Sequence, residues 1–397
     1  KAIEYYNKSF EKNPKNAMSQ YNIGNIYFEQ KKFENAIEKF KIAASINPAH
    51  SFAYNNIGLA LKKLGNFDQA LKFYKKAIDT NKDFVDGHVN YGTLLLLTSK
   101  LELGFEEYEW RKKSKTFSDY LDYSKLNIKS PIWSGQNLER KTILIFSEQG
   151  IGDLIQFSRY LFVLKGTFSC RVILRLKQNL AHLFDDSIKI ITENEKIPNH
   201  DFHNHLASLP GIFYKKNKNF PKTNNFIKEN KDISQKWREI LKKYKGLKVG
   251  INSTASSATT GDRIIPLVEF RSLTNLKDIN FFIIQKDFNK NNLKVINQNS
   301  NVNYFEELDK FGKPFQDTIG LVKNLDLIIT ADTSLGHLSA TLGKPTWIVL
   351  SFINDWRWFQ DKNKSVWYDT VKLFRQKKIG NWTQVFEMIY KDLEKKL

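Results

Sequence analysis

Two glycines and an aspartate separate a short apolar run from a helix-like segment in FSEQGIGDLIQFSRY, residues 146–160. Gly150 and Gly152 allow a tight turn from a strand into a helix, and this turn presents Asp153 at the carboxyl end of the strand. In open α/β sheets, ligands bind at that edge. Asp153 is therefore either a carboxylate available for chemistry or an N-cap that accepts hydrogen bonds from the first amides of its helix.

The same turn does not match the common phosphate-binding fingerprints. A dinucleotide site needs a third glycine, where this chain has Ile155, and an acidic residue about twenty positions further on to hold a ribose. Cys170 and Arg171 occupy that region instead. A P-loop needs a Gly-Lys-Ser/Thr run, and none follows this turn. The residues therefore disfavour a nicotinamide-dependent enzyme.

A second motif lies far downstream, in DLIITADTSLGHLSATLGKPTWIVL. It consists of an apolar strand, a short polar turn and a helix of small residues, followed by another buried strand. A helix N-terminus of this kind leaves backbone N–H groups free to receive a phosphate. A histidine in the first turn can donate a hydrogen bond to an anion. The candidate anion-binding residues are Asp332, Thr333, Ser334, Gly336 and His337.

Both motifs need parallel sheets to position them. Short β-branched runs alternate with helix-like segments over the last two thirds of the chain, a pattern that predicts parallel strands covered by helices. The basic, asparagine-rich stretch 215–246 divides two such blocks, so we predict two doubly wound domains facing across a cleft. The predicted strands are Thr142–Ser147, Arg171–Leu176, Leu247–Asn252, Phe281–Ile284, Leu327–Thr330 and Thr346–Leu350, and the predicted helices are Asp153–Lys165, Gln316–Lys323 and one from about Ser334.

The first third of the chain repeats with a period of 34 residues, which separates Gly24, Gly58 and Gly92. The same register aligns Phe40 with Tyr74. Small residues at positions where two helices approach, with large aromatic residues between successive hairpins, are typical of a helical solenoid. This pattern resembles the tetratricopeptide repeat.

The resemblance implies an α-solenoid of about three repeats over residues 1–115, the first of them truncated. Ala2 and Tyr6 keep the register, so the sequence is expected to begin inside the second helix of an earlier repeat. In this family the first helices line a concave face, where side-chain amides can hold the backbone of a protein partner. The candidate peptide-binding residues are Asn22, Asn25, Asn56 and Asn90.

The motifs EQGIGDLIQFSRYL, SLPGI, IIQKD, ADTSLGHL and DWRWF together resemble the heptosyltransferase-like glycosyltransferases of the family 9 type, which have the two-Rossmann GT-B fold. The closer resemblance is to bacterial proteins that join tetratricopeptide repeats to such a domain, among them flagellin-modifying transferases. It implies an α + α/β fold class, with an acceptor-side Rossmann-like domain at 116–246 and a donor-side Rossmann-like domain at 247–397. A C-terminal helix at Trp382–Leu397 is expected to pack back toward the first of these domains.

The resemblance also implies a function. It predicts inverting, metal-independent transfer of a sugar from a nucleotide sugar to a protein or glycan acceptor, without a cofactor, in which Asp153 matches the catalytic base. Arg263 matches a basic residue near the donor phosphates, and Gln285 and Lys286 match a further donor-side position. The implied donor-binding residues are Gly150, Gly152, Arg263, Gln285, Lys286, Asp332, Thr333, Ser334, Gly336 and His337.

One loop departs from the pattern of the repeat-bearing group, which usually has a tryptophan and a histidine after the first strand of the second domain. This chain has INSTASSATTGDRIIP there, with Asn252 and no histidine. The alternative function is therefore a catalytically inactive, transferase-like scaffold that acts through its repeats. The residues leave the sugar open among hexosyl, heptosyl and nonulosonyl groups.

The net charge of +20 is partly local, because residues 215–248 hold twelve Lys and Arg against three Asp and Glu. No zinc-finger or RNP-type motif accompanies it, so nucleic acid is not a predicted partner. Peripheral contact of this segment with an acidic membrane surface is a possible use of the charge. No apolar run approaches the roughly 20 residues of a membrane span. The single cysteine, Cys170, fits a reducing compartment, and we expect a cytoplasmic protein.

Overall fold

The computed structural model describes residues 1–115, 117, 126, 128–222, 225–254, 264–285, 288, 290–296, 301–310 and 312–397. The chain divides into two compact units. The first unit consists of the described residues of 1–125 together with 355–361, and the second consists of those of 126–354 together with 362–397.

Helices that pack in consecutive pairs form the first unit. The pairs are α2 with α3, α4 with α5 and α6 with α7, while α1 precedes them and packs against α2. The helices are α1 Ala2–Lys12, α2 Ala17–Glu29, α3 Phe33–Ile46, α4 Ser51–Lys63, α5 Phe67–Thr80, α6 Val85–Leu97 and α7 Leu101–Tyr108, followed by a 3-10 helix at Glu109–Lys113.

A glycine in the first helix of a pair lets the second helix approach closely. A Cβ atom on Gly24 would stand 2.5 Å from the ring of Phe40, and one on Gly58 would stand 2.6 Å from the ring of Tyr74. Both rings are completely buried. The prediction that small residues lie where two helices approach closely is therefore confirmed.

The segment 355–361 belongs to the first unit although it is distant in sequence. The ring of Trp356 packs edge-on against Phe105, with 5.9 Å between centroids. The backbone N–H of Gln360 donates to the carbonyl of Leu97 at 2.8 Å. The DWRWF motif, which carried part of the transferase resemblance, thus buries aromatic surface of the last repeat.

Two parallel sheets form the core of the second unit, as predicted. Their strand orders are β3-β2-β1-β4 and β10-β9-β8-β5-β6-β7, and every pair of neighbouring strands is parallel. The strands are β1 Thr142–Phe146, β2 Arg171–Leu176, β3 Lys189–Thr192, β4 Phe202–His205, β5 Leu247–Asn252, β6 Ile279–Ile283, β7 Val302–Tyr304, β8 Leu327–Ala331, β9 Thr346–Leu350 and β10 Val371–Arg375.

The helix predicted over Asp153–Lys165 begins earlier and is broken at Ser158. The Ser158 hydroxyl donates to the carbonyl of Leu154 at 2.6 Å, a bond that competes with the helix ladder and favours a bend. The helices of the second unit are α8 Ile151–Phe157, α9 Arg159–Thr167, α10 Leu209–Asn217, α11 Lys231–Leu241, α12 Leu293–Ile296, α13 Gln316–Lys323, α14 Ser334–Thr341 and α15 Thr383–Glu394. In the described part of the chain, no helix is both long and apolar enough to cross a bilayer.

The basic stretch 215–246 contributes to the fold as well as dividing the two blocks. The Asn230 side chain caps α11 by accepting from the amides of its first turn. On the buried face, Trp237 donates from Nε1 to Oδ1 of Asp317 at 3.0 Å, and α11 packs on α13. The lysines of α11 are exposed, and contact with an acidic surface stays a prediction.

The C-terminal helix differs from expectation in its packing. The apolar face of α15 joins the hydrophobic core of the second sheet, where Phe386 packs edge-on against Phe270 at 4.8 Å between centroids. The apolar face of α15 is buried against the second sheet, so it does not pack on the first sheet as expected. Its core residues are Val385, Phe386, Ile389 and Leu393.

We expect Gly58→Val to lower the thermal unfolding midpoint, because its Cβ would overlap the buried ring of Tyr74. Overpacking of a core costs about 1–3 kcal/mol. Far-ultraviolet circular dichroism during heating measures the change. Gly166→Val in α9 is the matched control, since a Cβ there meets nothing within 4 Å. Equal stability of the two variants would contradict the close helix approach at Gly58.

Candidate functional site

The turn after β1 is built differently from the prediction. Gln149 adopts the left-handed backbone conformation, with φ 63°. Gly150 is extended, with φ −87° and ψ 170°, and is the N-cap of α8. A left-handed conformation costs a non-glycine residue on the order of 1 kcal/mol, so the strain of this turn lies one residue before the glycine that was expected to carry it.

Asp153 is the third residue of α8 and is half-buried. Its Oδ2 accepts a hydrogen bond from the backbone N–H of Gly150 at 2.9 Å. This is the position of the acidic residue in a capping box, and the N-cap is Gly150. The carboxylate is thus held at the N-terminus of α8 by a bond that aspartate or asparagine can make.

Glu148 precedes the turn and faces into the first sheet. It is 2% exposed, and its Oε1 accepts from the backbone N–H of Ala207 at 3.0 Å. Glu148 therefore anchors the end of β1 to the 3-10 helix Leu206–Ser208. The role of Asp153 as base stays a prediction.

The N-terminus of α14 is the second predicted feature of the site. Thr333 is its N-cap, with φ −138° and ψ 171°, and makes no side-chain capping bond. The Thr333 hydroxyl lies instead 3.2 Å from that of Thr330. A Cβ on Gly336 would stand 3.1 Å from Cδ1 of Ile348, so this glycine lets α14 lie close to the sheet. The first amides of such a helix favour an anion.

Gly152 is the point where the two motifs meet. A Cβ on Gly152 would stand 3.1 Å from Cδ2 of His337 and 3.8 Å from the backbone nitrogen of Ser334. Helices α8 and α14 pack against each other. The structure therefore brings together the turn that carries Asp153 and the N-terminus of α14, which are far apart in sequence.

The side chain of His337 is buried, although it was predicted to bind an anion. Its side chain is 4% exposed, and its Nδ1 lies 3.1 Å from the hydroxyl of Tyr368. The Tyr368 ring in turn lies under the guanidinium of Arg159, 4.2 Å from its centroid. Sequence reasoning missed Tyr368 and Arg159, although Arg159 stands within the FSRY end of the first motif. Asp332, directly before Thr333, is also buried.

The remaining predicted donor residues follow strands of the second sheet. Gln285 comes after β6, and its Oε1 accepts from the Ser253 hydroxyl at 3.0 Å. The neighbouring Asn252 donates from Nδ2 to the carbonyl of Ile284 at 2.8 Å. These bonds tie the ends of β5 and β6 together. The predicted residues Arg263 and Lys286 lie outside the described residues.

Among the described residues, no cluster of three His, Cys, Asp or Glu side chains is arranged to hold a metal ion. The prediction of metal-independent chemistry is not tested by this and stays a prediction.

Three of the four asparagines predicted on the repeats belong to one chain of amide hydrogen bonds. Asn56 donates from Nδ2 to Oδ1 of Asn25 at 3.0 Å. Asn90 donates to Oδ1 of Asn55 at 3.0 Å, and Asn55 donates to Oδ1 of Asn56 at 3.2 Å. Asn55 was missed by sequence reasoning, and Asn22 is half-buried on α2 beside this chain of bonds. The amides are therefore ordered by one another across α2, α4 and α6.

A groove of about 340 Å³ lies along these helices. Phe52 is 50% exposed and packs against Phe84, with 4.7 Å between ring centroids. Asp86 is the one charged residue among those that line the groove. The lining residues are Tyr21, Phe52, Asn55, Asn56, Leu59, Phe84, Asp86, Val89 and Asn90.

Comparison with known proteins agrees with both parts of the chain. Tetratricopeptide-repeat family models match residues 51–84 and residues 24–65. A glycosyl transferase family 9 structure from Veillonella parvula is 13% identical, with a TM-score of 0.50, and the match covers 66% of this chain and 99% of that chain. The chain combines tetratricopeptide repeats with a glycosyltransferase family 9 fold. The predicted α + α/β fold class is thus confirmed, while the domain boundaries at 116 and 247 remain predictions.

A curated relative has a similar sequence. Protein FlbA of Caulobacter vibrioides is 24% identical over 322 residues, which are 73% of this chain and 52% of FlbA. The chain therefore spans about half the length of this relative. The likeness to the family 9 structure, at 13% identity, establishes the fold but not the reaction.

We expect Gly152→Val to loosen the N-terminus of α14, because its side chain would collide with His337. The first-turn amides of α14 should then exchange with deuterium about tenfold faster, which corresponds to about 1.4 kcal/mol of local stability. Gly150→Ala is the control, since its Cβ would meet only Oδ2 of Asp153, at 3.3 Å. Unchanged exchange in Gly152→Val would show that the contact does not position α14.

Proposed function

We propose that the protein is a glycosyltransferase that moves a sugar from a nucleotide sugar to an acceptor bound by its repeats. The reaction would invert the anomeric carbon and need no metal. The observation that supports this most is the contact between Gly152, beside Asp153, and His337 at the start of α14. It supports the proposal because the turn that carries Asp153 lies next to a helix N-terminus.

The donor phosphates would lie at the N-terminus of α14. The helix dipole and the first-turn amides there favour a dianion, and no Thr333 side-chain bond caps them. The family resemblance adds Arg263, Gln285 and Lys286 to this side. The same groups would stabilise the negative charge that the nucleotide carries away as the leaving group.

Asp153 would act as general base. The acceptor hydroxyl forms a bond to the anomeric carbon while the bond from that carbon to the phosphate oxygen breaks. The hydroxyl proton passes to the Asp153 carboxylate, which the Gly150 amide holds at the start of α8. A carboxylate oxygen in this position can accept the proton of the attacking hydroxyl.

The acceptor would be a protein held in the groove of the repeats. Ordered asparagine amides can bond an extended backbone, and the half-exposed ring of Phe52 can receive an apolar side chain. The one charge of the lining is the carboxylate of Asp86, so the groove suits a neutral or basic segment.

The competing function is an inactive scaffold that acts through its repeats. The Gly150 to Asp153 bond is compatible with this alternative, because a purely structural turn would contain the same bond. A product assay with the wild-type protein separates the two functions, because only the transferase converts a nucleotide sugar.

We expect Asp153→Asn to lower the transfer rate by about 10²-fold or more, the usual scale of general-base catalysis. The Asn oxygen can still accept from Gly150, so folding and nucleotide binding should survive. Product formation with saturating donor and acceptor measures the rate. Asp232→Asn, an exposed first-turn aspartate of α11, is the control. Near wild-type transfer by Asp153→Asn would contradict the role of Asp153 as base and leave it a structural residue of the turn.

We expect Phe52→Asp to weaken capture of the acceptor by about tenfold or more, because it removes an apolar contact and adds a second carboxylate to the groove. Release of sugar from the donor in the absence of acceptor should not change. Leu103→Asp on α7 is the control, since Leu103 is also exposed but lies outside the groove lining. Equal capture by both variants would move the acceptor site away from these repeats.

A further inference from the structure

Arg159, the first residue of α9, is a fully buried guanidinium. Its Nε donates to the carbonyl of Gln156 at 2.8 Å. Its Nη1 donates to the carbonyls of Pro221, at 3.0 Å, and Trp367. Its Nη2 is buried without a hydrogen-bond partner. In the part of the chain that the structure describes, the positive charge of Arg159 is therefore met by carbonyl dipoles and not by a carboxylate.

The ring of Tyr368 supplies the remaining compensation. The guanidinium lies 4.2 Å from its centroid, against 5.9 Å for Trp367. A cation over a phenol ring attracts its π electrons, which makes the hydroxyl a stronger donor and a weaker acceptor. The Tyr368 side chain is 1% exposed, so water does not weaken this effect.

The Tyr368 hydroxyl meets Nδ1 of His337 at 3.1 Å. In a neutral imidazole one nitrogen donates and the other accepts, and the partner of one nitrogen fixes the state of the other. If Tyr368 donates, Nδ1 accepts and the proton resides on Nε2. The ring atom beside Gly152 is Cδ2, which is bonded to Nε2. The protonated edge of the ring then faces the turn that carries Asp153.

We propose that Arg159 is a positioning residue that acts through Tyr368 to hold His337 with its proton on Nε2. The value of this tautomer rests on the proposed function. An Nε2 proton can donate to an oxygen of a bound phosphate, whereas an Nε2 lone pair would repel that oxygen. The tautomer itself can be observed without donor or acceptor.

Nitrogen-15 NMR of the full chain labelled at histidine tests the proposal. The chain has seven histidines, and His337→Gln identifies the signals of His337. We expect an unprotonated Nδ1 and a protonated Nε2 in the wild type. Tyr368→Phe removes the donor and should give a mixture of tautomers. Arg159→Met should shift the population in the same direction, and Arg159→Lys, which keeps the charge, should restore it in part.

Arg171→Met is the matched control, because Arg171 is exposed at the start of β2. A wild-type His337 protonated on Nδ1 would overturn the proposal. The same tautomer in folded Arg159→Met as in the wild type would also overturn it. If Arg159→Met does not fold, Tyr368→Phe still decides whether the hydroxyl sets the tautomer, and Arg159→Gln, which removes the charge but keeps a hydrogen-bond donor, decides whether the charge sustains it.

Calorimetric titration with UDP, ADP and GDP separates this proposal from the proposed function. We expect Tyr368→Phe to raise the dissociation constant of the bound nucleotide by about tenfold, the effect of one charge-assisted hydrogen bond. If the wild type binds none of these nucleotides but shows an Nε2 tautomer that Arg159→Met loses, the donor site fails and the role of Arg159 stands. If a nucleotide binds and the Nδ1 tautomer is seen, the role of Arg159 fails and the donor site stands.

Discussion

The candidate site depends on glycine at position 152, where the absence of a side chain lets two helices approach each other. In each parallel sheet the strands point their carboxyl ends to one edge, and the helices that follow β1 and β8 begin there. A Cβ atom on Gly152 would stand only 3.1 Å from His337, so glycine at this position lets the two helices pack closely. A branched side chain at this position would press against His337 at the start of α14. Each sheet places the start of one helix at its carboxyl edge, and Gly152 lets the starts of α8 and α14 lie next to each other.

Two helix N-termini so close together concentrate positive potential, and each favours a nearby anion. The two helices differ in how a negative charge can be supplied. At α8 the chain supplies its own anion, because Asp153 accepts from the Gly150 amide. At α14 the N-cap residue Thr333 turns its hydroxyl toward Thr330 and leaves the amides of its helix uncapped by that side chain. This asymmetry suits a site in which a ligand brings negative charge to one helix while a fixed carboxylate stays on the other.

The sequence predicted those parts of the structure that local pattern determines. A period of 34 residues with glycine opposite an aromatic ring has one packing solution, and the strand Thr346–Leu350 and the helix Gln316–Lys323 were predicted with the observed bounds. It did not predict the left-handed Gln149 or the break at Ser158, because a single hydrogen bond or dihedral angle outweighed helix propensity there. Nor did it predict the bond from Arg159 to the carbonyl of Trp367, since only the tertiary fold joins residues so far apart.

Stability alone is a weak reason for a buried arginine. An apolar side chain of similar volume would avoid the desolvation of a charge, and replacement of buried ions by apolar groups is often neutral or favourable. The carbonyls of Gln156, Pro221 and Trp367 could also be bonded by a neutral donor. The guanidinium of Arg159 places a permanent planar cation on the ring face of Tyr368 and donates to several carbonyls at once. A neutral donor would supply the hydrogen bonds without the cation. The charge of Arg159 therefore indicates a role in the hydrogen bond between the Tyr368 hydroxyl and His337.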